Sequence, residues 1–241
     1  MLARMGVRRE VRASDSPLVE RITRVRFDGD WRGVTTPDGC WDIVVRRVQG
    51  RVELLQTGLI TRPVELAYDA GDEYLSISFK PGVFMPRLPG KRMVDRGLLR
   101  PTPSPRSFRL EQDELEIPTF DNAEALVDRL VRRELIVRDE IVEGVVEGRP
   151  RAIHPRSVQR HFLDAMGVTA KRLEQIRRAC RAIELLAQGK RVVDVALELG
   201  YADQSHLTRA LKAIMGRTPG EVAVRAVDNV ARAPSASAPS R

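Results

Sequence analysis

Polar and apolar positions change period along the chain, and the changes mark its elements. Between residues 20 and 80, short β-branched runs alternate with turn residues. "DIVVRRVQGRVELLQTG" holds two such runs around Gln49-Gly50, which predicts a hairpin. "EYLSISF", Glu73 to Phe79, alternates apolar with polar side chains and stops at Pro81-Gly82, and "TTPDGCWDIVV" enters a strand through Pro-Asp-Gly. Short strands with turn signals at this density predict a small barrel or sandwich. Frequent prolines from Lys80 to Pro118 predict loops. Asp121 followed by Glu124 is a capping pattern, opening a helix that carries Ala125, Leu126, Leu130 and Val131 to about Val137. A second short helix fits Glu140 to Val146; "EGRPRAIHPRS" then interrupts, and the period is helical to about Val227. The expected fold class is α+β: a small β-barrel or sandwich-like domain over 1–118, a helical linker over 119–148, an all-α domain over 149–227 and a disordered Pro/Ser-rich tail over 228–241.

With 42% hydrophobic residues in 241, the chain can bury a core, and its net charge of +8 is confined to one region. Arg149 to Arg225 holds 15 basic and 7 acidic residues, leaving 26 of each elsewhere. A basic module beside a neutral domain points to a polyanion as the partner of that module alone. The two cysteines, Cys40 and Cys180, have no metal-ligand spacing and imply no disulfide framework. "MLARMGVRREVR" lacks the apolar stretch of a secretory signal, and no run of 18 apolar residues spans a membrane, so a cytoplasmic protein is expected.

Inside the basic module, Leu173, Ile176, Cys180, Ile183 and Ala187 form one apolar stripe of a long helix, with Arg172, Arg177, Arg178 and Arg181 largely off it. Then comes "RVVDVALELGYADQSHLTRALKAI". Val192, Val195, Ala196 and Leu199 form the inner side of a short helix that ends at Gly200. Asp203 caps a second helix in which Leu207, Leu211 and Ile214 face inward. Helix, glycine turn, helix is the helix-turn-helix pattern. Its outward positions, Ser205, His206, Arg209 and Lys212, carry hydrogen-bonding tips suited to base edges in the major groove of duplex DNA. An ordinary pair of packed helices with a solvated face has the same spacing.

"HPRSVQRHFLDAMGVT" repeats the second half of the pattern: Val158, Phe162 and Met166 face inward, and Arg156, Gln159, Arg160 and Leu163 share the other face. Arg and Gln suit bidentate reading of guanine and adenine. A joining helix from Thr169 to about Gln188 spans about 30 Å, close to the roughly 34 Å between successive major grooves on one face of DNA. Since the net charge and both outward faces lie here, residues from about Asp139 to Val227 are expected to bind DNA alone.

Residues 153 to 223 resemble the AraC/XylS family of bacterial transcription regulators, through "DVALELGYADQSHLTRALKAIMGRTPGEV" with its Gly-Tyr turn, its "HLTR" and its closing "GRTP". The resemblance implies two helix-turn-helices joined by a long helix, with base contacts at Arg156, Gln159 and Arg160 and at Ser205, His206 and Arg209. The first unit departs from the pattern: superposing the two copies puts Glu147 at the place of Ala196 and Arg151 at that of Gly200. A less regular support predicts that the second unit reads its DNA segment more strictly. "TTPDGCWDIVV", "GLITRPVEL" and "YLSISFKPGVF" resemble an uncharacterised barrel-like domain that often precedes this module. In the wider family such a domain binds a small effector, dimerises, or both. A sequence-specific transcription regulator is therefore expected. Its partners would be double-stranded DNA, RNA polymerase, a small effector and a second copy of the chain.

Neither catalytic nor metal-ligating residues, nor a cofactor, are expected. His154, His161 and His206 all lie in the basic module, which excludes a His-rich metal site from the barrel. His154 and His161 read as phosphate or solvent contacts at most. Asp38 and Asp42 read either as a ligand-lining edge or as turn chemistry around a core Trp41. Two alternatives stay open, an enzyme with a DNA-binding appendage and a basic module for an acidic protein.

Overall fold

The computed structural model describes residues 6–149 and 152–222. The expected tail, 228–241, lies outside the described residues, as does Arg151. The chain divides into two compact units, Met1–Glu174 and Gln175–Arg241.

The first unit is built on a six-stranded antiparallel sheet. Its strands are β1 (Val7–Arg12), β2 (Val19–Phe27), β4 (Trp41–Val48), β5 (Arg51–Thr57), β7 (Glu73–Phe79) and β9 (Gly97–Arg100), in the order β1-β2-β7-β4-β5-β9. Gln49 and Gly50 both take positive φ, 49° and 74°, the turn a two-residue hairpin between β4 and β5 requires. Alternation sends Ile22, Trp41, Ile43, Val45, Leu54, Leu75, Ile77 and Phe79 to one face, which forms the main core. On the other face, β3 (Trp31–Thr35) pairs with β6 (Val64–Tyr68), and Phe27 stacks on Tyr68 at 4.3 Å beside Trp31 and Tyr74.

The segment expected as loops, Lys80 to Pro118, holds β8 (Val83–Phe84), β9 and a hairpin of β10 (Ser107–Leu110) and β11 (Asp113–Glu116). Phe108, Leu110 and Leu115 of that hairpin are core residues. Its turn escapes a sequence reading because Glu111, not glycine or asparagine, takes the positive φ of 56°.

The segment expected as a linker, 119–148, also belongs to this unit. Helix α1 (Ala123–Arg132) buries Ala123, Leu126, Val127 and Leu130 in the sheet's core, and β12 (Val137–Arg138) pairs with β8. The expected capping pattern is rearranged: Asn122, not Asp121, is the N-cap, and it accepts from the Thr119 N–H at 2.7 Å. Glu124 reaches away to Arg12, at 2.6 and 2.7 Å, and accepts from the Ser14 hydroxyl at 2.8 Å. The Arg12 fork holds the Glu124 carboxyl down to about 2. A depressed carboxyl stabilises the fold fully above its unfolded range, and the gain is lost as pH falls through the folded value. Glu124→Gln is therefore expected to lower unfolding free energy by about 1–3 kcal/mol at neutral pH. It should also flatten the acid limb between about pH 5 and pH 2, read by denaturant melts across pH.

After β12 come α2 (Glu140–Val146), α3 (Pro155–Ala165) and α4 (Ala170–Ala187), with the division between units inside α4. The second unit adds α5 (Val192–Glu198) and α6 (Gln204–Met215), closed over Val195, Ala196, Tyr201, Leu207, Leu211 and Ile214. In α4 the buried stripe is Leu173, Ile176, Ala179, Ala182 and Leu186, while Cys180, Ile183 and Ala187 are only half-buried. The helix is rotated by about one residue from the expected stripe because two alanines, small enough for close packing, take its centre.

Candidate nucleic-acid interface

Helix α6 is held at both ends. Asp203 is its N-cap and accepts from the His206 N–H at 2.6 Å; Gly216, at φ 68°, ends it in the left-handed conformation. Gly200, at φ 69°, turns the chain out of α5, and the Tyr201 N–H donates to the Ala196 carbonyl at 2.9 Å. Tyr201 is buried beneath the Arg178 guanidinium, 4.6 Å from its ring centroid. Burial pushes the Tyr201 hydroxyl up, with Arg178 opposing.

The expected outward residues separate here. Ser205, Arg209 and Lys212 are exposed, and their side chains have no hydrogen-bond or ion-pair partner among the described residues. His206 is turned inward. It is half-buried, its ring meets Tyr201 edge-on at 5.3 Å, and its Nδ1 accepts from the Ala202 N–H at 3.3 Å. The ring clamps the turn to the helix. His206→Ala is thus expected to cost about 1 kcal/mol of stability, seen in thermal melts. Were His206 a base contact instead, operator affinity would fall with the melt unchanged. Sequence reasoning missed Gln204, an exposed amide at the first position of α6. Its signal was its place directly after the cap. Thr208 is spent locally, donating to the Gln204 carbonyl at 2.8 Å.

Helix α3 presents Arg156, Gln159 and Arg160 together as exposed side chains without partners among the described residues, while Phe162, Ala165 and Met166 are buried. Leu163, expected on the outward face, is half-buried. The two histidines expected to contact phosphate or solvent also have partners within the chain, His154 while remaining exposed. His154 is the N-cap, its Nδ1 accepting from the Arg156 N–H at 3.2 Å ahead of Pro155. His161 Nδ1 lies 2.6 Å from one carboxylate oxygen of Asp139, whose other oxygen caps α2 by accepting from Ile141 and Val142. Glu147 lies past the end of α2, and Gly148, at φ 73°, turns the chain there. The supporting helix is therefore regular and capped, and only its connection to α3 is long.

The foot of α3 rests on the β-structure of its own unit. Met166 Sδ accepts from the Gly82 N–H at 3.3 Å, Lys91 pairs with Asp164 at 2.9 Å, and Arg172 donates to the Thr61 carbonyl at 2.7 Å. A side chain at Gly90 would come within 2.5 Å of the Gly167 nitrogen. Such contact demands glycine.

In the sheet domain, whose six-stranded sheet is open at β1 and β9 and not closed into a barrel, Asp38 serves the turn: it accepts from the Cys40 N–H at 3.0 Å and pairs with Arg21. Trp41 is core, stacked on Phe79 at 4.2 Å. Asp42 is half-buried, accepting from Ser76 and Ser78 at 2.8 and 2.5 Å, and burial followed by the charge of Asp38 pushes it up to about 6. Burial also pushes the Cys40 thiol well up, the opposite of what a nucleophile needs. No group of three or more His, Cys, Asp or Glu among the described residues could hold a metal, and none of their helices is long and apolar enough to cross a membrane.

A helix-turn-helix domain family matches residues 151–225. This part of the chain is an AraC-type helix-turn-helix domain. It makes the protein a DNA-binding transcriptional regulator. The domain takes in α3 to α6, and so both exposed faces. No curated protein matches the chain. Among solved structures it is similar to ToxT from Vibrio cholerae, at 11% identity over 90% of this chain and 98% of that one, with a TM-score of 0.44. It is also similar to ToxT from Vibrio cholerae O395, at 10% identity over 90% and 97%, with a TM-score of 0.40.

Proposed function

We propose that the helix-turn-helix domain reads a specific duplex sequence through two faces: Arg156, Gln159 and Arg160 of α3, and Gln204, Ser205, Arg209 and Lys212 of α6. The observation that supports this is the pairing of the arginines. In the sheet domain Arg8, Arg12, Arg21, Arg24, Arg26 and Arg46 are tied to carboxylates, as is Arg191 before α5, while other exposed arginines there, Arg32 and Arg47 among them, make no such pair among the described residues. Arg156, Arg160 and Arg209 are exposed and tied to nothing among the described residues. Exposed donors without internal partners are free to meet phosphate oxygens and base edges. The sheet domain, on this reading, has no catalytic role and controls the DNA-binding part through a small effector or through pairing with a second copy. RNA polymerase is the partner through which bound protein would alter transcription.

The test is selection of bound fragments from genomic DNA by the purified protein, followed by titration of the selected site across salt. Enrichment of one sequence, with log affinity falling linearly in log salt, is the expected result. Equal binding to all duplexes would overturn sequence-specific reading, and salt-sensitive binding to an acidic protein without DNA binding would favour the interaction-module alternative.

A further inference from the structure

The core face of the sheet is not covered along its whole length. At one end of the core, two side-chain rows cross the three central strands β2, β7 and β4, the first of them still contributing Leu75 and Val45 to that core. One row is Arg24–Leu75–Val45, the next Arg26–Glu73–Arg47. The loop Pro118–Asp121 faces both, and between them lies a cleft of about 210 Å³. Its apolar floor is Val45 and Leu75, each at most 5% exposed. Phe120 forms a further apolar wall, fixed by the Arg24 guanidinium 4.6 Å over its ring and by Arg12 bound to its carbonyl at 2.9 and 2.6 Å.

The charges around this floor are unequal in their commitments. Arg24 is taken by Glu10 and Arg26 by Glu73, both at 2.6 Å. Arg47 also lines the cleft, opposite Glu73 in register, yet makes no hydrogen bond or ion pair among the described residues. With Arg24 matched by Glu10 and Arg26 by Glu73, the lining keeps one uncommitted arginine, Arg47, with the Asp121 carboxylate on the same lining. One free cation suits one negative charge and disfavours a dianion, which would meet the Glu73 and Asp121 carboxylates.

We propose that this cleft binds a small organic monocarboxylate, its carboxylate on the Arg47 fork and its apolar body over Val45, Leu75 and Phe120. An apolar cavity of about 150 Å³ accommodates benzene, so this one suits a ligand of roughly ten non-hydrogen atoms. The planar fork of arginine matches a carboxylate in two parallel hydrogen bonds. As the effector site of a regulator the cleft rests on the function proposed above; as a ligand site it rests on its own geometry.

Calorimetric titration of the full chain with phenylacetate and with hexanoate tests it. Phenylacetamide serves as the uncharged control and phenyl phosphate as the dianion. At least one carboxylate is expected to bind at least about tenfold more tightly than either control, and Arg47→Ala to weaken it at least about tenfold. Arg47 is exposed, so the variant folds, and a melt of each preparation verifies it. Absence of binding by both carboxylates, a carboxylate bound no better than the amide, or Arg47→Ala binding like the parent overturns the proposal. The same preparations are assayed on the selected DNA. Protein that binds DNA but neither carboxylate sinks the cleft alone, and protein that binds a carboxylate through Arg47 but no DNA sinks the regulator reading alone.

Discussion

A fragment that starts at Asp139 and keeps the rest of the chain is expected to lose cooperative melting in α3 and at least about tenfold in specific DNA affinity. Charge distribution along the sequence suggests the opposite, since the whole basic module survives the cut. The reason lies under α3. Removing residues 6–138 takes away Gly82, Lys91, Thr61 and the close Gly90–Gly167 contact, each of which holds the foot of α3 or the start of α4. It uncovers Met166, now 2% exposed. Uncovering one large apolar side chain costs about 1.5–3 kcal/mol, and the hydrogen bonds lost add about 0.5–1.5 kcal/mol each. Against a typical domain stability of about 5–15 kcal/mol, α3 would then be marginal. An unsettled helix binds DNA at the added cost of ordering itself. Hydrogen exchange on the fragment would read protection in α3 directly. A fragment with intact-protein protection there, and intact affinity once dimerisation is discounted, would show that α3 stands without the sheet domain.

The second helix-turn-helix was legible in the sequence because its determinants are local. Gly200, Asp203 and the spacing of Leu207, Leu211 and Ile214 each act within one turn of where they stand. Strands β4, β5 and β7 were legible for the same reason, through alternation and the Gln49-Gly50 turn. What stayed hidden depends on partners far along the chain. Glu124 looks like a capping residue until Arg12 is beside it, and His161 looks like a solvent contact until Asp139 meets it. The edge strand β1, "VRREVR", is exposed at most positions and shows little alternation of burial to betray it. His206 misled for a subtler reason: at the helix start its ring folds back onto Tyr201, a rotamer that spacing does not reveal. The outward side was thus legible as a face but not residue by residue, with the exposed Gln204 overlooked on it and His206 found half-buried against Tyr201.

Arg160→Ala and Arg209→Ala are each expected to weaken binding to the selected operator by about 1–3 kcal/mol and to relax preference at one or two base pairs, with nonspecific binding changed less. The sequence suggests unequal losses, because "GRPRAIHP" is a poor match to the Gly200 turn and a loosely held helix discriminates poorly. The structure supports α3 by other means. Asp139 joins the α2 cap to His161, Met166 and Asp164 fix the foot, and His154 with Pro155 starts the helix. Helix α6 is fixed by Asp203, Gly216 and the stack of Arg178, Tyr201 and His206. Both helices meet DNA with their ordering largely complete before binding, so neither arginine should suffer a larger entropic discount than the other. The expectation is therefore two segments of comparable stringency. A base-substitution scan of the operator with each variant decides it. Penalties confined to the segment served by Arg209 would mean that the long connection before His154 leaves α3 adjustable on DNA, and wild-type binding by both variants would remove these faces from base reading altogether.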